Sequence, residues 1–210
     1  VTVAIIDYGA GNLHSVRKAV AAAGATPHII NEPRALAPFT AIIIPGVGHF
    51  ESTRALGDDW RDAIRTRLSD GSHLFGICLG MQWLYEGSDE APDLPGLGVV
   101  RGRCERLVGD EGRTIKVPHV GWNTLAFTEA CPVDIATPGT AAPYAYFTHT
   151  YAAPVTEATA AVTTHGRPFA SVVASGRVLG AQWHPEKSSD VGLALLRAFV
   201  TRARMGGSAC

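Results

Sequence analysis

Four short apolar runs dominate the first half of this chain: Val1–Ile6 (VTVAII), Pro27–Ile30 (PHII), Ala41–Ile44 (AIII, closed by Pro45-Gly46) and His73–Cys78 (HLFGIC). Each is too short for a globular helix and rich in aliphatic residues, which marks buried strands. Between them lie stretches of helical period. Leu13, Val16 and Val20 recur from Asn12 to Ala23, with Gly24 as a stop, and Leu56, Trp60, Ile64 and Leu68 are each four apart within Ser52–Ser69. A further short helix is expected over Leu79–Gly87. Alternation of this kind requires a parallel sheet covered by helices.

After Gly96 the texture changes. GVVRGRCERL, TIKVPHVGWNTLAF, YAYFTHTYA, ATAAVTTHG, FASVVASG and RVLGAQWHP are strand-like pieces separated by Gly, Pro or polar turns. They read as partly antiparallel additions to the same sheet. Asp190–Arg204 closes as a helix with Leu193, Leu196 and Val200 on one face. The expected architecture is a single α/β domain over residues 1–204, with a mixed, mostly parallel central sheet flanked by helices. The last residues, MGGSAC (205–210), are expected to be a disordered tail.

A chain of 210 residues buries enough surface to need no staples. Its net charge of -1 gives no basic excess, so neither nucleic acid nor an anionic membrane surface is an expected partner. No apolar run is long enough to span a bilayer, and the first residues lack the basic and small-residue features of a signal peptide. Cys78, Cys104, Cys131 and Cys210 show no C-x-x-C spacing, and the eight histidines include no H-x-x-x-H pair. Reduced thiols, a cytoplasmic location, no metal and no cofactor are the expectations.

One stretch carries chemistry. Gly76-Ile77-Cys78-Leu79-Gly80 has G-x-C-x-G spacing where a strand turns into a helix. This is the thiol counterpart of the nucleophile elbow, in which side chains two residues either side would collide. The sulfur is then displayed at a helix N-terminus, where the N–H of Leu79 is free to receive an oxyanion. The competing reading is a buried structural cysteine in a glycine-rich strand. An unperturbed thiol titrates near ~8.5, and lowering it to ~6 takes about 3.4 kcal/mol at ~1.36 kcal/mol per unit. A helix terminus supplies ~0.3–1 kcal/mol, ~2 at best. A cationic partner is needed, and a histidine is the natural one.

Of the eight histidines, His184 has the best surroundings. LGAQWHPEKS puts it at a strand end with Glu186 two residues on, on the same face of an extended chain, where a carboxylate orients the ring. A solvated His-Pro turn is the plain alternative. PGVGHF (Pro45–Phe50) follows the buried AIII strand, at the same carboxyl edge as Cys78 if the sheet is parallel. Gly46 and Gly48 let its backbone approach closely, and a simple tight turn is the alternative.

GICLGMQ together with HPE resembles the class I glutamine amidotransferases, which carry a Cys-His-Glu triad on a flavodoxin-like sheet. DYGAGNLHSV, PGVGHF, PHVGWN, FTHTY and HPEKS in this order are similar to the glutaminase subunits of imidazole glycerol phosphate synthase, over about Ile5 to Phe199. Val120, Thr150 and Trp183 depart from the family's more usual Met, Ser and Phe, and none is a catalytic group. His49 is also less usual, with no role implied.

The resemblance implies that Cys78, His184 and Glu186 hydrolyse L-glutamine through a thioester, with Leu79 and Val47 or Gly48 holding the oxyanion. It implies substrate contacts at Gly46, Gln82, Glu90, His149, Thr150 and Tyr151, although Glu90 also fits an acidic, solvated run. It implies a cyclase partner with a (β/α)8 barrel that receives ammonia through a tunnel in a heterodimer and works in histidine biosynthesis. Asn12, Trp122, Asn123 and Lys187 fall at or near that interface, where the alternatives are a surface lysine and a core tryptophan. Glutaminases of other pathways and a catalytically silent scaffold are the competing functions.

Overall fold

The computed structural model describes residues 1–110, 114–129, 131 and 142–206. In chain order the elements of the first half are β1 (Thr2–Ile6), α1 (Leu13–Ala22), β2 (Thr26–Ile30), β3 (Ala41–Ile44), α2 (Asp58–Ser69), β4 (His73–Ile77) and α3 (Leu79–Leu84). The short strands β5 (Gly87–Ser88), β6 (Ala91–Pro95), β7 (Arg103–Arg106), β8 (His119–Thr124) and β9 (Ala126–Phe127) follow. Then come β10 (Tyr144–His149), β11 (Tyr151–Ala152), β12 (Thr159–His165), β13 (Arg167–Ser175), β14 (Val178–Ala181) and α4 (Ser189–Gly206).

The main sheet runs β2-β1-β3-β4-β14-β13-β12-β9. Its first five strands are parallel, in the flavodoxin-like order, and the last three continue antiparallel. β3, β4 and β14 are buried at every residue, as strands covered on both faces must be. The pleat then splits one run between two cores. Val3 and Ile5 join Ala41, Ile43 and the α1 and α4 side chains Val16, Val20 and Phe199, while Ala4 and Ile6 join Ile42, Ile44, Trp60 and Ile64.

Three expectations need correction. The helix expected over Ser52–Ser69 is a 3-10 turn, Phe50–Ala55, followed by α2. Leu56 is fully buried but sits outside both, because Gly57 is extended (φ -65, ψ -167) and starts α2 afresh. Periodicity alone cannot see a break between two elements that bury the same face. Second, α3 stops at Leu84, not Gly87. The N–H groups of Leu97, Gly98 and Val99 bond the carbonyls of Trp83, Tyr85 and Leu84, so a loop closes the helix end and Tyr85 leaves extended. Third, the later strands are not all additions to one sheet. β14 is a parallel central strand, β8 and β10 form a separate ribbon, and β11-β7-β5-β6 form a third sheet. At the C-terminus α4 includes Met205 and Gly206, which the sequence placed in the tail, and residues 207–210 lie outside the described residues.

Candidate active site

β3, β4 and β14 are parallel neighbours, so their carboxyl ends bring three loops together. Cys78 is the residue between β4 and α3, and it is held at φ 51, ψ -106. A non-glycine residue adopts that conformation only under constraint. The constraint is visible: its N–H donates to the Ala181 carbonyl of β14 at 2.7 Å, and its carbonyl accepts from Gln82 at 3.0 Å. The flanking glycines are required by contact. A Cβ on Gly76 would lie 2.6 Å from the Gly80 carbonyl oxygen, and one on Gly80 would overlap the Ile44 carbonyl. The elbow is therefore as the spacing predicts.

His184 follows β14 but is not on a strand with Glu186. It caps a 3-10 turn, Pro185–Lys187, and the turn, rather than strand alternation, brings Glu186 back. His184 Nδ1 and Glu186 Oε1 are 2.8 Å apart, and both side chains are almost fully buried. Ser188 locks the turn: its hydroxyl donates to the His184 carbonyl at 2.7 Å and accepts from the Tyr146 N–H at 3.0 Å. Burial opposes a charged ring, but the Cys78 sulfur and the Glu186 carboxylate outweigh it and raise His184 to about 9. With Nδ1 on Glu186, its buried Nε2 is the nitrogen left for the Cys78 sulfur, which favours a proton there.

Cys78 is 4% exposed and opens into a cleft of about 390 Å³. Gly48, Leu79, Gln82, Glu90, His149, Thr150 and Tyr151 line that cleft, all of them expected at the site. Glu90 is tied down, its Oε2 accepting from the Phe50 N–H at 2.7 Å. Gln82 Nε2 donates to the Tyr151 carbonyl at 2.8 Å. Gly46 and Val47 are not in the lining. A Cβ on Gly46 would meet the Tyr8 hydroxyl and lie 2.9 Å from Leu79 Cβ, so the glycine permits close packing behind the elbow. Gly48 has φ +103, a conformation that suits glycine.

His49, Pro118 and Thr148 also line the cleft and were not expected there. His49 caps the 3-10 turn after the PGVG loop, accepting the Glu51 N–H at 3.1 Å. Behind the cleft a buried pair, His119 and His149, are joined Nδ1 to Nε2 at 3.0 Å. Burial first, with the nearby His165, lowers His119 to about 4; burial first, with His119, His165 and His184 adding, lowers His149 to about 3 despite its bond to the Tyr151 carbonyl. Burial, then the charge on Cys78, raises the Tyr8 hydroxyl. Of these residues only His149 was an expected site residue; the others lie within the quoted motifs, and fold proximity alone shows where they fall.

The expected interface residues reach the surface differently. Trp122 is 53% exposed, not a core aromatic, and packs edge-on to Tyr146, whose ring lies 5.7 Å below the Lys187 ammonium. Asn12 is exposed and caps α1 by accepting the Ser15 N–H. Asn123 bonds His119 and the Thr164 carbonyl.

The chain matches the family model "Glutamine amidotransferase class-I" over residues 4–203. It is 42% identical over 208 residues to "Imidazole glycerol phosphate synthase subunit HisH" of Halobacterium salinarum, covering 95% of this chain and 92% of that protein. It is 40% identical over 207 residues to the protein of the same name from Bacillus subtilis, covering 96% of each. Among solved structures, one described as "Crystal structure of glutamine amidotransferase" superposes with a TM-score of 0.72 at 23% identity, over 96% of this chain and 98% of that one. PurLQS from Thermotoga maritima gives a TM-score of 0.72 at 16% identity, over 95% and 97%, which speaks to the fold. The elbow, the paired His184 and Glu186 and these near full-length matches agree, and the chain belongs to the class I glutamine amidotransferases, within the HisH subunits of imidazole glycerol phosphate synthase.

Proposed function

We propose that the chain hydrolyses L-glutamine on Cys78 and delivers the ammonia to a cyclase subunit in histidine biosynthesis. The observation that carries this reading is the buried His184–Glu186 pair, 2.8 Å apart, beside a cysteine held at φ 51 on the floor of a cleft. His184 Nε2 takes the thiol proton, and the thiolate attacks the side-chain amide carbon. The oxyanion is received by the N–H of Leu79, which as the first residue of α3 has no carbonyl within its helix, and by the Val47 or Gly48 peptide. Losing one such donor costs about 3–4 kcal/mol of barrier. The imidazolium returns its proton to the departing nitrogen, so ammonia leaves and a thioester remains. Water, deprotonated by His184, then releases glutamate. The Glu90 carboxylate suits the substrate's α-ammonium, and Gln82 and the His149–Tyr151 backbone complete the pocket.

Ammonia in water is mostly ammonium, which is not nucleophilic, so a partner that accepts it directly is part of the proposal. A (β/α)8-barrel cyclase forming imidazole glycerol phosphate and an aminoimidazole carboxamide ribonucleotide fits the family. Its docking face is the β8–β10 ribbon, where Val120, Trp122 and Tyr144 are each more than half exposed; Asn123 lies on β8 and Lys187 sits over Tyr146 of β10, and Asn12 is assigned to the interface with them. An exposed apolar patch of this kind favours a protein partner. No helix among the described residues is long and apolar enough to cross a membrane, and the enzyme is proposed to work in the cytoplasm. Glutamate release is measured for wild type and Cys78→Ala, with and without cyclase and a nucleotide ligand. Wild type with partner turns over fastest, and Cys78→Ala is dead throughout. Undiminished turnover by Cys78→Ala removes the mechanism, and equal rates with and without cyclase remove the coupling.

A further inference from the structure

Gln182 is fully buried between β14 and His184, and the proton transfers of Cys78 and His184 leave it unused. Its backbone N–H is fixed to the Ser171 carbonyl of β13 at 3.0 Å. Its side-chain Nε2 lies 3.7 Å from the Cys78 sulfur, within hydrogen-bonding range for sulfur. Its Oε1 accepts from Gln82 Nε2 at 3.1 Å.

Which end of the Gln182 amide faces the sulfur follows from its neighbours. The Tyr151 carbonyl can only accept, so Gln82 must turn its amino group toward it. That same amino group meets Gln182, which must answer with oxygen and present its own amino group to the sulfur. Turning Gln182 over would oppose two amino groups and set an oxygen against the nucleophile. The Tyr151 carbonyl is itself held from the other side by His149 Nδ1 at 2.9 Å. His149 Nε2 then accepts from His119 Nδ1, and His119 Nε2 accepts from Asn123 at 3.2 Å. Each bond from the β8–β10 ribbon to the sulfur thus has a settled direction, with the Tyr151 carbonyl accepting from both sides.

The sulfur has a second neighbour of opposite preference. The Thr148 carbonyl, 3.9 Å away, can hold a thiol proton but only repels a thiolate. Gln182 does the reverse, since an N–H bonds a charged acceptor more strongly than a neutral one.

We propose that Gln182 is a further catalytic residue: its side-chain amide donates a hydrogen bond to the Cys78 thiolate, holding the nucleophile charged and aimed, and gives up that bond as the sulfur is acylated. It transfers no proton at any step. The proposal rests on Cys78 as the nucleophile of the glutaminase reaction.

The test is the pH profile of Cys78 alkylation by iodoacetamide in the full-length chain, followed on the mass of the Cys78 peptide so that other cysteines do not contribute. Gln182→Met and Gln182→Leu remove the donor at similar size, and Gln182→Glu keeps the acceptor for Gln82 but puts an oxygen against the sulfur. The expected result is a midpoint raised by about one pH unit in the Met and Leu variants, hence alkylation about tenfold slower at neutral pH. The rise is larger in Gln182→Glu, and all rates converge at alkaline pH, where a merely distorted site stays slow. An unchanged midpoint in whichever of the donor-free variants folds, judged by circular dichroism, overturns the proposal. Iodoacetamide needs neither glutamine nor partner. A wild-type chain that fails to turn over glutamine with cyclase therefore sinks the glutaminase reading and with it the catalytic role, while the alkylation profile still decides whether Gln182 donates to the thiolate.

Discussion

His184 Nδ1 and Glu186 Oε1 are 2.8 Å apart, in side chains only 1% and 2% exposed. At that depth the carboxylate has little water to solvate it, and the imidazole is its main compensation. The pair fixes which ring nitrogen carries the proton and leaves Nε2 toward the nucleophile.

Glu186→Gln keeps the shape but removes the charge that favours imidazolium. In the partnered enzyme kcat is expected to fall on the order of 10³-fold, the range for general acid–base catalysis, with KM little changed. Steady-state glutamate release measures it. A loss below about tenfold would show that Glu186 is dispensable.

Gly80→Ala tests the elbow. The new Cβ meets the Ile44 carbonyl and lies 3.2 Å from Ile44 Cγ2, with backbone that cannot swing aside. Overpacking of this kind costs about 3 kcal/mol, or roughly 6–12 °C in Tm for a chain of this length. Calorimetry decides it, and a Tm within about 2 °C of wild type contradicts the contact.

Stability should peak near neutral pH, for reasons of opposite sign. His119 and His149, lowered to about 4 and about 3, stay neutral in the fold while the unfolded chain takes up protons below about 6.5. Their contribution is complete above that pH and is lost as pH falls toward their folded values. His184, raised to about 9, binds a proton more tightly in the fold, so its contribution is complete below about 6.5 and is lost as pH rises through about 9. Urea midpoints across this range are expected to decline on both sides, starting on the acid side above the range of ordinary carboxylates. In Cys78→Ala the alkaline decline shrinks, because the sulfur's charge is one of its causes. A flat acid side down to pH ~5 contradicts the buried neutral histidines.

Trp122→Ala removes a half-exposed aromatic that supports Tyr146 from one side. Affinity for the cyclase is expected to drop at least about tenfold, as for a central aromatic anchor, with the Tm of the isolated chain unchanged. Calorimetric titration against the cyclase reads the affinity, and an unaltered Kd moves the interface off this ribbon.

The parallel half of the sheet and the elbow were written locally. Short aliphatic runs, helical period and two glycines around Cys78 each act over a few residues, and steric exclusion at Gly76 and Gly80 leaves little alternative. The HPE motif suggested that Glu186 orients His184, and the structure does pair them, though through a 3-10 turn and not a strand face. What the residues could not disclose was set by groups distant in the chain. The end of α3 is decided by N–H groups from Leu97 to Val99, and the break at Gly57 by how two elements share one core. The series through Gln182, Gln82, Tyr151, His149 and His119 joins the residue after β14 to α3, β11, β10 and β8, segments with no common spacing. Local sterics and periodicity can be read along one segment, whereas satisfying buried donors and acceptors depends on which segments the fold brings together.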